Sequence, residues 1–275
     1  MLRKAVFLLC LGLMLPSFVV VAAQIQTHPI TSLLGEKLEY DISFLWFDHL
    51  AEGSISLIRG EEDGTYLVTM EAKTLGVAAF FTRNRVEKFQ TLMRIGNDGL
   101  LQPLWHSSHT LRDKENGSSE KISRYIFDYE NQQVRYQKSK NNRTYKDQWF
   151  ELESDNQLFD ILSALYNLRL GYFGSVGKER LLVPTFHRKG QQDIVVEPLT
   201  DLCKKDRKFF SSAATTARIL VDPSVFGTKG RDVLASFDAM MRPQKGIIKN
   251  VIGLGDVRGT LRPPDDRVGG LWYEK

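Results

Sequence analysis

The stretch that decides the fold covers residues 38–72 and opens with LEYDISFLWFDHLAEGSISL at residues 38–57. Large apolar side chains occupy every second position at its start: Leu38, Tyr40, Ile42, Phe44 and Trp46. A period of two residues is typical of a β-strand with one buried face. Turns are predicted at residues 48–53 and 61–64, and the alternation resumes between them at residues 54–57 and again after them at residues 66–72. The stretch therefore predicts three antiparallel strands in a meander.

The same alternation continues through most of the chain. Pro103 cannot donate a hydrogen bond to a neighbouring strand, so it predicts an edge strand or a bulge. Residues 113–119 are predicted as a polar loop, and residues 204–212 and 263–270 as linkers. The further predicted strands are 86–95, 101–111, 121–129, 133–137, 143–150, 181–186, 193–198, 216–222, 233–237, 247–252 and 256–261.

One segment departs from this period. Apolar residues recur at helical spacing after residues 154–156, which offer N-cap side chains, and Gly171 stands where a helix would end. This predicts one main amphipathic helix at about residues 155–170 that packs on the sheet. About a dozen strands with one helix favour a mainly β fold, either a strongly curved antiparallel sheet or an open β-barrel. Two domains divided near the helix are the alternative.

The first 23 residues, MLRKAVFLLCLGLMLPSFVVVAA, have a basic start, an apolar middle and small residues at the end. This is the pattern of a secretory signal peptide cleaved after Ala23. A transmembrane anchor is the alternative, but Pro16 interrupts the apolar run and no stop-transfer charges follow it. Residues 24–275 contain no second long apolar run. They are therefore predicted to form a single periplasmic domain without a transmembrane span.

Composition excludes several classes of protein. Of the 275 residues, 42% are hydrophobic and 25% are charged, which are ordinary values for a globular chain and exclude wholesale disorder. Removal of residues 1–23 takes away two of the 37 basic residues and none of the 33 acidic ones, leaving a net charge of about +2. This balance does not indicate a nucleic-acid partner. Cys203 is then the only cysteine, so an internal disulfide is excluded, and a buried thiol is the commoner case.

The sequence has no motif of a common nucleotide or zinc enzyme: G-x-x-x-x-G-K, C-x-x-C and H-E-x-x-H are all absent. His106 and His109 are three residues apart on a predicted strand and would point to opposite faces. No cysteine or carboxylate cluster accompanies them, so neither a metal site nor a cofactor is predicted. His49 and His187 stand alone in turn-like contexts and are interpreted as surface residues.

Three polar residues, Asp160, Ser163 and Arg169, lie on the predicted helix. Asp160 and Ser163 are one turn apart and share a face, whereas Arg169 is about half a revolution away from Asp160. No glycine-flanked elbow surrounds Ser163, so a nucleophile is not predicted. The preferred interpretation is that these side chains fix the helix to neighbouring loops by hydrogen bonds.

The run FDAMMRP at residues 237–243 joins two predicted strands. Asp238 can accept hydrogen bonds from the backbone of a turn, and Arg242 and Pro243 stand at its end. The run is therefore interpreted as a hairpin determinant.

Large aromatic residues near the beginning of the chain are candidates for lining a ligand cavity. The run GVAAFF at residues 76–81 places two of them beside small residues. A curved sheet of about a dozen strands can be wider than its side chains fill, which leaves space for a ligand. Ordinary core packing is the alternative. The predicted cavity residues are Trp46, Phe47, Phe80, Phe81 and Trp105.

Three separated stretches, residues 38–53, 160–169 and 237–261, together carry a resemblance. They resemble a family of exported bacterial proteins that share a domain of unknown function (number 3108). The matching positions, interpreted as structural, are Tyr40, Gly53, Asp160, Ser163, Arg169, Asp238, Arg242 and Pro243. The resemblance implies export and a β-rich fold, and it assigns no catalytic residue. The third stretch is also similar to the closing hairpin of periplasmic lipoprotein carriers, open β-barrels with several lid helices instead of one.

These observations predict a non-enzymatic periplasmic protein that binds a lipophilic ligand or an envelope protein. An envelope hydrolase is the first alternative, and it requires at least two of Asp160, Ser163, His106 and Asp238 to converge in one pocket. The second alternative is a structural or scaffold protein of the cell envelope. That alternative predicts an exposed apolar patch or a free sheet edge.

Overall fold

The computed structural model describes residues 29–44, 47–115, 117–152, 157–211, 213 and 215–263. It describes the backbone but not the side chains of Phe47, Val77, Phe80 and Phe81. The predicted signal peptide and Trp46 lie outside the described residues. Within the ranges given, no helix is long and apolar enough to cross a membrane.

The described residues form fourteen strands, four α-helices and a 3-10 turn at Pro29–Leu33. The strands are β1 (Lys37–Phe44), β2 (Phe47–Arg59), β3 (Thr65–Thr74), β4 (Val86–Ile95), β5 (Leu101–Lys114), β6 (Gly117–Asp128), β7 (Gln133–Lys140), β8 (Arg143–Glu151), β9 (Leu181–His187), β10 (Gly190–Pro198), β11 (Thr215–Leu220), β12 (Asp232–Phe237), β13 (Pro243–Val251) and β14 (Gly255–Leu261). The helices are α1 (Gly76–Thr82), α2 (Ile161–Arg169), α3 (Lys204–Phe209) and α4 (Pro223–Phe226).

All fourteen strands belong to one antiparallel sheet, in the order β8-β7-β6-β5-β4-β3-β2-β1-β14-β13-β12-β11-β10-β9. Each strand pairs with its neighbours in the chain, except that β1 pairs with β14 and that β8 and β9 form the two edges. The sheet curls around α2 without closing. The predicted fold class is therefore confirmed: the protein is mainly β, with an open, barrel-like antiparallel sheet.

The core lies between α2 and the face of the sheet that surrounds it, which we call the inner face. Leu162 and Tyr166 pack among buried residues of the first half of the sheet, and Leu168 packs among those of the second half. The two edges also meet inside, because the ring of Phe186 on β9 stands edge-on to that of Phe150 on β8, with centroids 5.3 Å apart. Apolar contacts thus join the two edge strands, which are not paired with each other by backbone hydrogen bonds.

Helix α2 is shorter than predicted. It begins at Ile161 with Asp160 as N-cap, so the predicted start near residue 155 is wrong. The apolar residue that precedes the cap, Phe159, is extended instead and forms a bridge to Thr185 of β9. The end is as predicted, because Gly171 takes a positive φ of 80° and closes the last turn by donating to Leu168 O.

Four smaller expectations also change. Residues 48–53 are not a turn, since β2 covers Phe47–Arg59. Residues 113–119 are not a loop, since β5 and β6 run to Lys114 and from Gly117. The predicted linker at 204–212 contains α3, in which the side chain of Asp206 is buried against Lys249 and Arg258. Cys203 precedes this helix and is exposed, which corrects the expectation of a buried thiol.

Pro103 marks a bulge within a central strand. The register between β4 and β5 shifts, so that Leu92 pairs with Trp105 while the adjacent Met93 pairs with Pro103. An extra residue in one strand reverses the alternation of side chains beyond it. As a result His106, three residues after Pro103, returns to the inner face.

Candidate functional site

The strongest polar cluster of the molecule lies at the N-terminus of α2. Asp160 accepts hydrogen bonds from Thr91 Oγ1 at 2.6 Å, Ser163 Oγ at 2.6 Å and the backbone N–H of Leu162 at 2.9 Å. The Nδ1 atom of His106 lies 2.9 Å from Asp160 Oδ1. Burial raises the pKa of the Asp160 carboxyl, but the charge of His106 and these hydrogen bonds outweigh it and hold the pKa below its usual value.

This cluster brings together three of the four residues of the hydrolase alternative, but it does not form a catalytic triad. In a triad the serine donates to the histidine, whereas here Ser163 donates to Asp160 and caps the helix. The relative exposures of Ser163, Asp160 and His106 are 0%, 1% and 4%. A substrate cannot reach these atoms, and the arrangement anchors α2 to strands β4 and β5, whereas the interpretation of the sequence placed the hydrogen-bond partners in loops.

The C-terminus of α2 is anchored by a buried ion pair. Arg169 donates two hydrogen bonds to the carboxylate of Glu36, at 2.6 and 2.8 Å, and a third to Met241 O at 3.1 Å. Two parallel N–H···O bonds of this kind fix both position and orientation. Tyr40 adds a hydrogen bond to Pro243 O at 2.9 Å, so β1, α2 and the β12–β13 turn are tied together.

The remaining motif positions also serve this junction. Asp238 accepts from the backbone N–H groups of Met240 and Arg242 and from Arg242 Nε, and Pro243 then opens β13, so the predicted hairpin determinant is observed. Gly53 makes room on the inner face, because a Cβ at that position would lie 3.0 Å from Ile42 Cδ1. These contacts give the three resembling stretches a shared structural role.

The histidines do not assemble a metal site. His106 faces inward and His109 faces outward, where its Nε2 lies 2.9 Å from Glu120 Oε1. His49 is exposed, as predicted, but His187 is half-buried beside Asp222 and corrects the surface interpretation. Among the described residues, no group of three or more histidine, cysteine or acidic side chains is placed to hold a metal ion.

The predicted ligand cavity is not supported at the one position that can be assessed. Trp46 and the side chains of Phe47, Phe80 and Phe81 lie outside what the structure describes. Trp105 points to the outer face, where the guanidinium of Arg124 stacks 5.1 Å from its ring centroid. The bulge at Pro103 is the physical reason for this orientation, because its extra residue shifts the alternation of side chains along β5 by one position.

A small cleft opens between β9, β10 and α4. It has a volume of about 30 Å³, and His187, Gln192 and Asp222 contribute its polar lining. This volume corresponds to about one water molecule, far below the several hundred Å³ of a typical ligand pocket. The cleft is thus too small for an organic ligand.

A larger half-exposed surface lies on the inner face beyond the N-terminus of α2. We call it the open end and define it by the inner-facing residues of one row, Met70, Phe89, Ser108, Ser123, Lys138 and Lys146, which are paired across strands β3 to β8. The side chains of Met70 and Phe89 pack against the core on one side and remain half-exposed on the other. The open end therefore offers apolar surface inside the curve of the sheet.

Lysines occupy the other part of this row. Lys138 pairs directly with Lys146 across β7 and β8, and their ammonium groups lie 5.8 and 5.1 Å from the ring centroid of buried Tyr136. In the next row, Lys121 pairs with Lys140, which pairs with Arg143. Within the described part of the chain, none of these five cations forms an ion pair.

This cationic surface was not predicted from the sequence. Lys138 and Lys140 lay beyond the predicted strand at residues 133–137, because the hydrophobic alternation stops where the lysines begin. The period of two itself continues, with lysine at two successive inner positions. That lysine alternation was the available signal, but only the register reveals which cations oppose one another.

Comparison with known proteins places the chain in a family. The sequence matches the family described as "Protein of unknown function (DUF3108)" over residues 39–215. No curated protein matches the chain. Among solved structures, a β-barrel-like protein of the domain of unknown function DUF1849 from Brucella abortus is similar, with 10% identity and a TM-score of 0.47. The match covers 84% of this chain and 96% of that one.

Proposed function

This chain belongs to the DUF3108 family of proteins of unknown function, and from that premise we propose that it is a non-enzymatic periplasmic protein that binds a lipophilic ligand. The observation that carries the proposal is the half-exposed apolar surface of Met70 and Phe89 on the inner face of an unclosed sheet. Such surface is normally covered in a folded protein, so a bound apolar group would be stabilised by covering it.

The open end, and not an enclosed cavity, is the binding surface in this proposal. The interior near α2 is filled by the helix, and the cleft beside α4 holds about 30 Å³. A ligand that lies along the open end stays accessible to solvent on one side. It can therefore be exchanged without unfolding of the sheet.

Export is the second part of the proposal. The supporting observation is the sequence of residues 1–23, which has the order of charge, apolar run and small residues that a signal peptidase requires. Intact mass measurement of the protein recovered from periplasm tests it. We expect the mass of residues 24–275, and a chain that keeps residues 1–23 in the membrane fraction would contradict export.

Ligand binding is tested with the delipidated protein and an uncharged fluorescent probe, N-phenyl-1-naphthylamine. Met70→Ser removes apolar surface from the open end, and we expect it to weaken probe binding about tenfold or more. Leu67→Ser, on the outer face of the same strand, is the matched control and should change binding less than twofold. Equal binding by both variants, with both folded by circular dichroism, would overturn the proposed site.

A second candidate function, binding of an envelope protein, is favoured by the edge strand β8. Tyr145 and Trp149 are 60% and 54% exposed on this strand, which has one unpaired side. An extended segment of a partner can add to such an edge. A photo-crosslinking residue at position 149 should then capture a defined protein in cells, whereas the same residue at position 58 should not.

A further inference from the structure

The two lysines of the open end and the three cations of the next row are arranged against the usual preference of a sheet for opposite charges. Lys138 faces Lys146, and Lys140 faces both Lys121 and Arg143. Like charges directly opposite one another destabilise a β-sheet. The ring of Tyr136 contacts two of these ammonium groups, but no described carboxylate neutralises any of the five cations, and a local conflict of this kind is expected where a surface has a function.

The acidic residues of the same three strands cannot compensate these charges. Strand alternation places Glu120, Asp128, Asp147 and Glu151 on the outer face, opposite in direction to the lysines. Asp147 accepts two hydrogen bonds from Arg135 there, at 2.9 and 2.7 Å. The inner face of β6–β8 thus carries basic groups and no carboxylate.

The cationic surface is continuous with the apolar surface of the proposed function. Lys146 and Lys138 stand in the same cross-strand row as Phe89 and Met70, with two serines between them. Five inter-strand spacings separate Met70 on β3 from Lys146 on β8, a distance of ~24 Å along the sheet. One molecule can therefore contact both surfaces if it has an anionic end and an apolar end.

We propose that the ligand of the open end is an anionic amphiphile, whose phosphate, sulfate or carboxylate headgroup is bound by Lys138 and Lys146 while its chain lies on Phe89 and Met70. This inference rests on the proposed function. Tyr136 beneath the two ammonium groups holds them over its ring and keeps them half-buried, where an anion is attracted more strongly than in bulk water. Lys121, Lys140 and Arg143 add positive potential at the entrance.

The test uses three probes with the delipidated protein, below their critical micelle concentrations: dodecyl phosphate, dodecyl maltoside and inorganic phosphate. Lys138→Gln with Lys146→Gln should weaken dodecyl phosphate binding tenfold or more and leave dodecyl maltoside within twofold. The matched control is Arg124→Gln with Arg135→Gln, which removes the same charge from the outer face of β6 and β7. It should change neither affinity more than twofold.

Each outcome separates this inference from the proposed function. If dodecyl maltoside binds at the Met70 surface but dodecyl phosphate has no advantage, the headgroup inference is overturned and lipophilic binding stands. If inorganic phosphate binds as well as dodecyl phosphate, the surface is a site for a free anion and the amphiphile is excluded. If neither dodecyl probe binds, both proposals fail.

Discussion

Two parts of the inner face are built by the same strands, β4–β8, but they differ in whether their charged side chains are paired. At the packed end, which α2 covers, the carboxylate of Asp160 accepts hydrogen bonds from four donors, which include His106 and Thr91. At the open end, Lys138 faces Lys146, and no carboxylate in the described part of the chain forms an ion pair with either of them. Charge at the packed end holds the fold together, whereas charge at the open end works against it.

The difference shows that the same strands can serve a structural purpose at one position and a binding purpose at another, within ~20 Å along their length. A buried charge must be fully paired, because an unpaired one would destabilise the folded state by several kcal/mol. A half-exposed cation keeps part of its hydration, so its repulsion costs little and can be retained for binding. The packed end, where charges are paired, thus differs from the open end, where they are not paired and where we propose that a ligand binds.

The largest effect on stability is expected from Asp160→Ala. It leaves His106, Thr91 and Ser163 without their shared acceptor, and we expect the free energy of unfolding to fall by ~3–5 kcal/mol. Asp147→Ala on the outer face removes an exposed carboxylate paired with Arg135 and should lower the free energy of unfolding far less. Urea unfolding measures both. Equal losses of stability in the two variants would show that the buried carboxylate of Asp160 contributes no more to the fold than an exposed one.

A smaller effect is expected from Arg169→Lys. Lysine keeps the charge but cannot donate two parallel hydrogen bonds to Glu36 and a third to Met241, so a loss of about 1–3 kcal/mol is expected. Arg262→Lys is the control, because Arg262 binds Asp41 and Glu52 in a more exposed position and should lose under ~1 kcal/mol. The same unfolding experiment compares them, and a larger loss at Arg262 would contradict the prediction.

Acid should weaken the packed end through protonation of Asp160. The pKa of Asp160 is below its usual value in the folded protein, so its stabilising contribution is complete above the unfolded pKa of ~4 and is lost as the pH falls through the folded pKa. The free energy of unfolding should therefore decrease below about pH 4. In Asp160→Asn this decrease should be shallower. Thermal melts between about pH 2 and 7 measure the slope, and parallel curves for the two proteins would exclude Asp160 as a source.

The smallest effect has the opposite sign. Lys138→Gln removes the repulsion from Lys146, so the free energy of unfolding should rise by ~0.2–1 kcal/mol while dodecyl phosphate binding weakens. Arg135→Gln, on the outer face of the same strand, removes the pair with Asp147 and should not stabilise the protein. Chemical unfolding with many replicates resolves a change of this size. A loss of stability in Lys138→Gln would mean that the lysine contributes to the fold.

Periodicity predicted the sheet but not how its strands meet. β4 was predicted with its observed bounds, and the bulge at Pro103 and the turn at Asp238 followed from side-chain chemistry. The helix start was missed because residues 154–156 offer the same N-cap chemistry as Asp160. The choice between them depends on Thr91 and other residues of distant strands, which a local pattern does not contain.

The candidate site was harder to predict because it depends on register. Trp105 was expected in a cavity, but the bulge at Pro103, one of the two alternatives predicted there, reverses its direction and sends His106 inward. The lysines of the open end oppose one another only once β6, β7 and β8 are aligned. A sequence shows which residues alternate, whereas the facing pairs follow from turns and bulges elsewhere.

The pairing of β1 with β14 sets the order in which the chain can fold. All other neighbouring strands are consecutive in the chain and can form as hairpins, but Asp41 and Arg262, which join across this pair, are 221 residues apart. Closing a loop of that length costs about 3.5 kcal/mol more chain entropy than closing a loop of about four residues. We expect this pair to form last. A circular permutant that begins at β9 and ends at β8 would contain only local pairings and should refold faster.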